Sequence, residues 1–540
     1  MSRRAGHGFD RRSGSERRRG GILGALVGAL AVLALILSSS NASAMTSRKA
    51  TVAPAPAPTP PGVVTLGSTV RGRPMPDGFV GLSLEYRALL TYLGSDPSAI
   101  NPVFLRLLRN LGPGQDPVIR IGGDSTDWTW WPVPKMRQPR GITYDITPLW
   151  LADARALAQA TRTRYILGIN LEANSQVIEK AETDALLSGI GRQHVAALEL
   201  GNEPELYSKL GWYRSGTVFV PGRPPSFDFT GFTNEFSEFR KTVSPVPTAG
   251  PSTGSYWWLT HLEQFLAAEP SLGLVTVHSY WLDRCLSSPS LPGYPTVPNL
   301  LNPHPPSRLA GSLARYAALA HDRDIPIRID EMNSVTCGGE HGVSDVFASA
   351  LWALNALFEA MSADVDGVNI HTFPGTANQL FGFTSTGGQW SASVRPEYYG
   401  LLMFAQAAPP GVSLIPIAQT HTGQTRVWAT RAHDGTIRVA LINDSLTESS
   451  SVLVQAPAPG ATAQLGRLLA PSVYAATGIT LDGQSFGVQT TTGALAGPTS
   501  TVAVQPSSNV GTAAAYSVSL PAASAALLTI APPSHPPPPR

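Results

Sequence analysis

Eight short apolar runs, separated by amphipathic stretches, constrain this chain more than any other feature. The runs are FVGLSLEY from residue 79, VIRIGGD from 118, RYILGINL from 164, HVAALELGNE from 194, PVPTAGPS from 245, LVTVHSYW from 274, IPIRIDEMN from 325 and VDGVNIH from 365. Between them lie segments such as LWLADARALAQATR, FSEFRKTV, WLTHLEQFLAAE and SRLAGSLARYAALAHDR. These place apolar residues at helical spacing with charges between them. Eight strands alternating with helices predict an α/β fold, a (β/α)8 barrel over residues 76–395, with an open doubly wound sheet as the less favoured arrangement.

After residue 395 the texture changes. RVWATR, TIRVALIND, SVLVQAP, YSVSLP and AALLTIAP are short β-like runs among Gly, Pro, Ser and Thr. Residues 396–531 therefore read as an all-β sandwich. A strand candidate at 63–75, beginning VVTLGSTV, precedes the barrel and is expected to join that domain. Two domains suit a chain of 540 residues. No internal repeat of fixed period is present.

The amino end follows the order of a secretory signal: positive, apolar, then small. Residues 1–20 hold seven arginines against Asp10 and Glu16, residues 21–37 are uncharged, and Ala42-Ser43-Ala44 offers a small-residue cleavage site. Residues 1–44 are thus a signal peptide or, since 21–37 is long for a signal, an uncleaved membrane anchor. Both place the body outside the cell. Residues 45–62 (with APAPAPTPPG) form a stiff Pro/Ala-rich linker, and 532–540 a Pro-rich tail. From residue 45 on, 32 Lys and Arg face 35 Asp and Glu. A mildly acidic body argues against nucleic acid as a partner, because phosphate contacts need clustered cations.

The strand ends carry the chemistry. The first ends at Glu85, the second at Asp124, the fourth at Asn202-Glu203, the sixth at His278 and Tyr280, the seventh at Asp330-Glu331 and the eighth at His371. Barrel enzymes work where strands finish, and an apolar strand should not end in ionisable groups unless they are solvated or used. Two carboxylates across a barrel mouth suit glycoside hydrolysis. Gly201-Asn202-Glu203-Pro204 on the fourth strand, with Glu331 on the seventh, resembles the superfamily of retaining glycosidases on (β/α)8 barrels. LELGNEPELY, VIRIGGDSTDW, HSYW, IRIDEMNS and RPEYYGLLMF together resemble the heparanase and microbial β-glucuronidase family, over roughly residues 60 to 530.

That resemblance implies Glu203 as the acid/base and Glu331 as the nucleophile, with configuration retained and carboxyl groups about 5 to 5.5 Å apart. It implies Tyr280 as the hydrogen-bond partner of Glu331, and Glu85 and Asp124 as contacts to sugar hydroxyls. Asn202 is expected to bond the sugar 2-hydroxyl. Pro204 should stop the strand and favour an extended approach to Glu203. Glu199 is read as a structural strand residue, Glu205 as exposed, Asp330 as turned away from the mouth towards a partner such as Arg328, and His278 and His371 as wall residues. Trp128, Trp130 and Trp131 are candidates for a sugar-stacking platform, two of them more simply as packing. The family's glucuronate-binding tyrosines are absent from SVTCGGEHG and FPGTANQLFGF, which puts uronic acid specificity in doubt.

The implied partner is an oligosaccharide or glycoconjugate, with no cofactor and no metal, since no H-E-x-x-H or His-x-His spacing occurs. Cys285 and Cys337 follow neighbouring strands and fit a disulfide in an exported protein. Other readings are a neutral-sugar β-glycosidase, an inactive carbohydrate-binding scaffold, and a serine hydrolase using Ser252. The last rests on Gly250-Pro251-Ser252-Thr253-Gly254, which matches a G-x-S-x-G elbow but is short and arises by chance in turn-rich chains.

Overall fold

The computed structural model describes residues 62–243, 246–302, 306–457, 462–510 and 513–532. The expected signal or anchor, nearly all of the linker and the proline tail lie outside the described residues. Among the described residues, no helix is long and apolar enough to cross a membrane.

Eight parallel strands close into a barrel: Val80–Glu85, Val118–Gly122, Arg164–Ile169, Val195–Leu200, Thr248–Thr253, Leu274–Leu282, Ile327–Val335 and Val368–Thr372. They are called barrel strands one to eight below. Strand eight pairs with strand one, Val368 beside Val80 through Thr372 beside Leu84, which closes the ring. Every residue of strands one, five, seven and eight is buried. Side chains fill the barrel within and helices cover it without, so these strands read as apolar runs rather than alternating ones. The helices begin where the chain offers caps. Thr147 accepts from the Trp150 amide ahead of Pro148–Thr161, and Asp228 from the Gly231 amide ahead of Phe229–Arg240.

The β domain is two sheets around a core of its own. Val64, Val439, Leu441, Val452, Val454, Val518 and Leu528 meet between them. One sheet runs in the order 417–420, 62–66, 450–456, 513–520, 508–510; the other is built on 425–431, 437–443, 524–530 and 463–469. The early strand is Gly62–Leu66, antiparallel to Ile417–Thr420 and parallel to Ser450–Ala456. The far face of the second sheet rests on the barrel. Trp428 stacks on Phe358 at 5.5 Å and donates to Asn355 Oδ1 at 3.0 Å. Helix Phe347–Ser362 is buried almost throughout because it lies between barrel and sheet.

The boundary at residue 395 needs correcting. Pro396–Ala407 is a helix that follows strand eight and completes the barrel's helical ring. The β domain resumes at Ser413. The helix is so evenly apolar because it too is covered by barrel on one side and sheet on the other.

Candidate active site

One arginine organises the mouth. Arg120, on strand two, is fully buried. Its Nε donates to Glu199 Oε2 at 2.8 Å, Nη1 to Glu331 Oε2 at 2.6 Å and Nη2 to Asn202 Oδ1 at 2.8 Å. Asp330 lies 3.7 Å from Nε. Burial opposes the charge, but Glu199, Asp330 and Glu331 outweigh it and hold the guanidinium firmly protonated.

Glu331 receives a second donor, Tyr280 Oη, at 2.7 Å. His371 Nδ1 stands 3.7 Å from Oε2. Burial resists ionisation, yet His371, His278, Arg120 and the Tyr280 hydrogen bond hold this carboxyl well below the usual range. Glu203 takes a hydrogen bond from His278 Nδ1 at 2.8 Å, and His278 Nε2 stands 3.1 Å from Ser252 Oγ. Although burial works against it, the charge of Glu331 and the bond to Glu203 raise His278 to about 10, so the ring is an imidazolium at neutral pH. One oxygen of Glu203 and one of Glu331 lie within 4.8 Å of each other. Oxygens this close favour the short spacing of retaining glycosidases over the roughly 6.5–9.5 Å of inverting ones.

The backbone around Glu203 departs from expectation. Strand four ends at Leu200, and Gly201 turns out of it at φ 80°. Glu203 itself is left-handed, φ 44° and ψ 55°, where an extended residue before proline was expected. Pro204 instead opens a short 3-10 turn, and the Glu203 amide is tied to the Ser252 carbonyl at 2.9 Å. Such strain survives only where the surroundings over-determine it, as at active sites.

Asp330 also differs. It does not turn away from the mouth but lies buried inside the barrel, 3.7 Å from both Arg120 and His278. The register of strand seven shifts against both neighbours beside Glu331. A bulge of this kind re-aims a side chain, so consecutive acids both face inward. Burial and the neighbouring Glu199 push the Asp330 carboxyl well above its usual value, while His278 and Arg120 pull it down. Arg328 bonds Asn369 and the Gly78 and Phe79 carbonyls at the opposite end of the barrel. Glu205, expected to be exposed, is buried; its Oε1 accepts from the Gly254 amide at 2.8 Å. Burial and nearby Glu203 push it to about 7.

Glu85 is buried and accepts from the Ser125 amide at 2.8 Å; His371 Nε2 stands 3.8 Å away. Asp124 is open to solvent and lines a cavity of about 120 Å³ with Asn202, Glu203, Trp128, Leu206 and Trp212. Of the three tryptophans, Trp128 faces this cavity. Trp130 is buried on Ile142 and Ile178, and Trp131 packs on the main core.

Residues 427–527 match the glycosyl hydrolase family 79 C-terminal beta domain. The chain is 24% identical to a β-glucuronidase of Aspergillus niger over 481 residues, spanning 77% of this chain and 84% of that protein. It is 23% identical to a β-glucuronidase of Neurospora crassa, across 78% and 87% respectively. These similarities support a glycoside hydrolase of the heparanase and β-glucuronidase-like kind. A 4-O-α-L-rhamnosyl-β-D-glucuronidase from Fusarium oxysporum shares the fold of this hydrolase at TM-score 0.63 and 18% identity, covering 86% of this chain and 100% of that one. So does the GH51 arabinofuranosidase from Xanthomonas axonopodis pv. citri, at 0.62 and 15%, covering 87% and 99%.

The serine-hydrolase reading fails on burial: Ser252 sits in barrel strand five with no exposed surface, so no substrate carbonyl can reach its hydroxyl. Among the residues that matter to this hydrolase, Arg120 was missed from sequence and His278 undervalued. The signal was there: Arg120, Glu199 and Asp330 are charges inside three apolar runs, and buried charges need partners.

Proposed function

We propose that this chain is an exported retaining β-glucuronidase that works by double displacement. The observation that carries the reading is the pair Glu203 and Glu331, with oxygens within 4.8 Å at the mouth of the barrel. Glu331, ionised, attacks the anomeric carbon. Glu203 gives its proton to the glycosidic oxygen, and the aglycone leaves as an alcohol. Water then displaces Glu331 from the glycosyl ester while Glu203 takes the water's proton. His278 holds one oxygen of Glu203 and leaves the other for the reaction. Tyr280 and Arg120 each hold an oxygen of Glu331. Asn202, fixed by Arg120 through its carbonyl, offers its amide donors to the sugar 2-hydroxyl.

The relatives named above as β-glucuronidases support the glucuronide. The absence of tyrosines after strands seven and eight favours a second reading, a neutral-sugar β-glycosidase. Hydrolysis of a matched set of 4-nitrophenyl β-glycosides by the full chain separates the two. The glucuronide should be cleaved best, with the β-anomer of glucuronate appearing first by NMR. Preference for glucoside, galactoside or xyloside would move the reading to a neutral sugar, and first release of the α-anomer would overturn retention.

Export also sets the cysteine state. Cys285 and Cys337 are exposed thiols with sulfurs 3.5 Å apart, on the loops after strands six and seven. Closing that bridge is worth nominally about 4 kcal/mol in the chain-entropy model. Intact mass of protein from the culture medium should show a start after Ala44 and a mass two hydrogens below the dithiol. A full-length chain retained in the cytoplasm with two titratable thiols would refute both.

A further inference from the structure

Without the family's tyrosines, a cation is the natural partner for a uronic carboxylate, and most cations around the mouth are spent. Arg120 is held by Glu199, Glu331 and Asn202. His278 serves Glu203 and Ser252. Arg284 pairs with Glu340, and Arg223 with Glu235. Arg87 differs from all of these.

Arg87 lies two residues beyond Glu85, where strand one meets the mouth, and it is exposed. Its guanidinium carbon stands 4.7 Å from the ring centroid of Phe373 and 5.4 Å from that of Trp128. Phe373 comes two residues after His371 of strand eight, and Trp128 six after Gly122, where strand two ends. Two aromatic rings on separate loops therefore fix one guanidinium beside the glycone residues. Its charge is felt at the Asp124 carboxyl, but among the described residues no hydrogen bond or ion pair to Arg87 is present. Its donor fork is free, and that fork matches a carboxylate in two parallel hydrogen bonds.

We propose that Arg87 binds the carboxylate of a uronic acid in the glycone site, in place of the missing tyrosines. This rests on the β-glucuronidase reading and supplies the recognition it lacks. A glucuronide lays its carboxylate on the fork between Phe373 and Trp128. A glucoside has no charge to offer there and leaves the fork in water.

The test is the kcat/KM of the full chain on 4-nitrophenyl β-glucuronide and β-glucoside, which share a leaving group, together with the inhibition constant of free glucuronate. Arg87→Gln should lower kcat/KM for the glucuronide about 100-fold, chiefly through KM, and raise the glucuronate inhibition constant in parallel. Turnover of the glucoside should stay within about threefold. Arg87→Lys should recover part of the loss, because it restores the charge without the fork. Wild type that cleaves the glucuronide, with an Arg87→Gln variant keeping both the glucuronide kcat/KM and the glucuronate constant, overturns Arg87 alone. Wild type that fails to cleave the glucuronide overturns the β-glucuronidase reading as well. The thermal midpoint of Arg87→Gln should fall only slightly, since the variant loses two exposed ring contacts, each weak in water, and no described hydrogen bond or ion pair; a clearly lowered midpoint with both substrates equally impaired would make Arg87 structural and overturn the proposal.

Discussion

Glu331→Gln should reduce kcat by on the order of 10⁴-fold or more, because it removes the nucleophile while leaving the shape of the site intact. Its amide oxygen can still accept from Arg120, which now donates to Oε2 at 2.6 Å, and its NH2 can donate to the Tyr280 hydroxyl, which now donates to Oε1 at 2.7 Å. Substrate should therefore still bind, and KM should change far less than kcat. A 2-fluoro glucuronide, whose glycosyl ester hydrolyses slowly, should add its mass to the peptide carrying Glu331 in wild type and to no peptide in the variant. Turnover within tenfold of wild type, or a label on another peptide, would place the nucleophile elsewhere.

Arg120→Met should be the most destabilising single change at the site. It leaves Glu199 and Glu331 without the cation that serves both, and removing one partner of a buried charge network typically costs about 3–5 kcal/mol. The loss should depend on pH. Burial alone would raise both carboxyls, but Arg120 with its neighbours holds them below their ordinary value of 4.5. Groups with depressed values in the fold contribute stability that is fully present above the unfolded value and is lost as pH falls through the folded one. The deficit of Arg120→Met should thus be largest near neutrality and shrink below about pH 4.5. Urea midpoints of variant and wild type across pH 3 to 7 would measure it. Arg120→Lys should not rescue, because an ammonium cannot reach Glu199, Glu331 and Asn202 together. Equal midpoints at pH 7 would show that other groups hold the carboxylates.

What could be read in the sequence follows from burial. The barrel strands were legible because both faces are covered, so VIRIGG and IRIDEM stand out as apolar runs. The positions of Glu203, Glu331 and Tyr280 were legible because strand ends are where a barrel exposes polar groups. The orientation of Asp330 was not, because a bulge beside Glu331 breaks the alternation on which the inference rested. Glu205 looked exposed as a turn residue, but the Gly254 amide folds over it. Arg120 was hidden by its setting: one charge within an apolar strand gains meaning only when Glu199 and Asp330, from distant parts of the chain, are seen against it. Helix Pro396–Ala407 was assigned to the wrong side of a boundary because barrel and sheet bury it alike.

The placement of Gly62–Leu66 gives the molecule a nested construction. This strand lies inside a sheet whose other members all come after residue 413, so the barrel is a guest inserted into a discontinuous host. During synthesis the strand emerges first and must wait some 350 residues for its partners at 417–420 and 450–456. Contacts of such separation close slowly, since the loop entropy is lost before the contact is gained. A fragment cut to residues 413–532 would retain most of the sandwich but leave a strand-wide slot, with Ile417–Thr420 detached from the sheet and the edge of Ser450–Ala456 bare, which is the geometry that invites pairing with another chain.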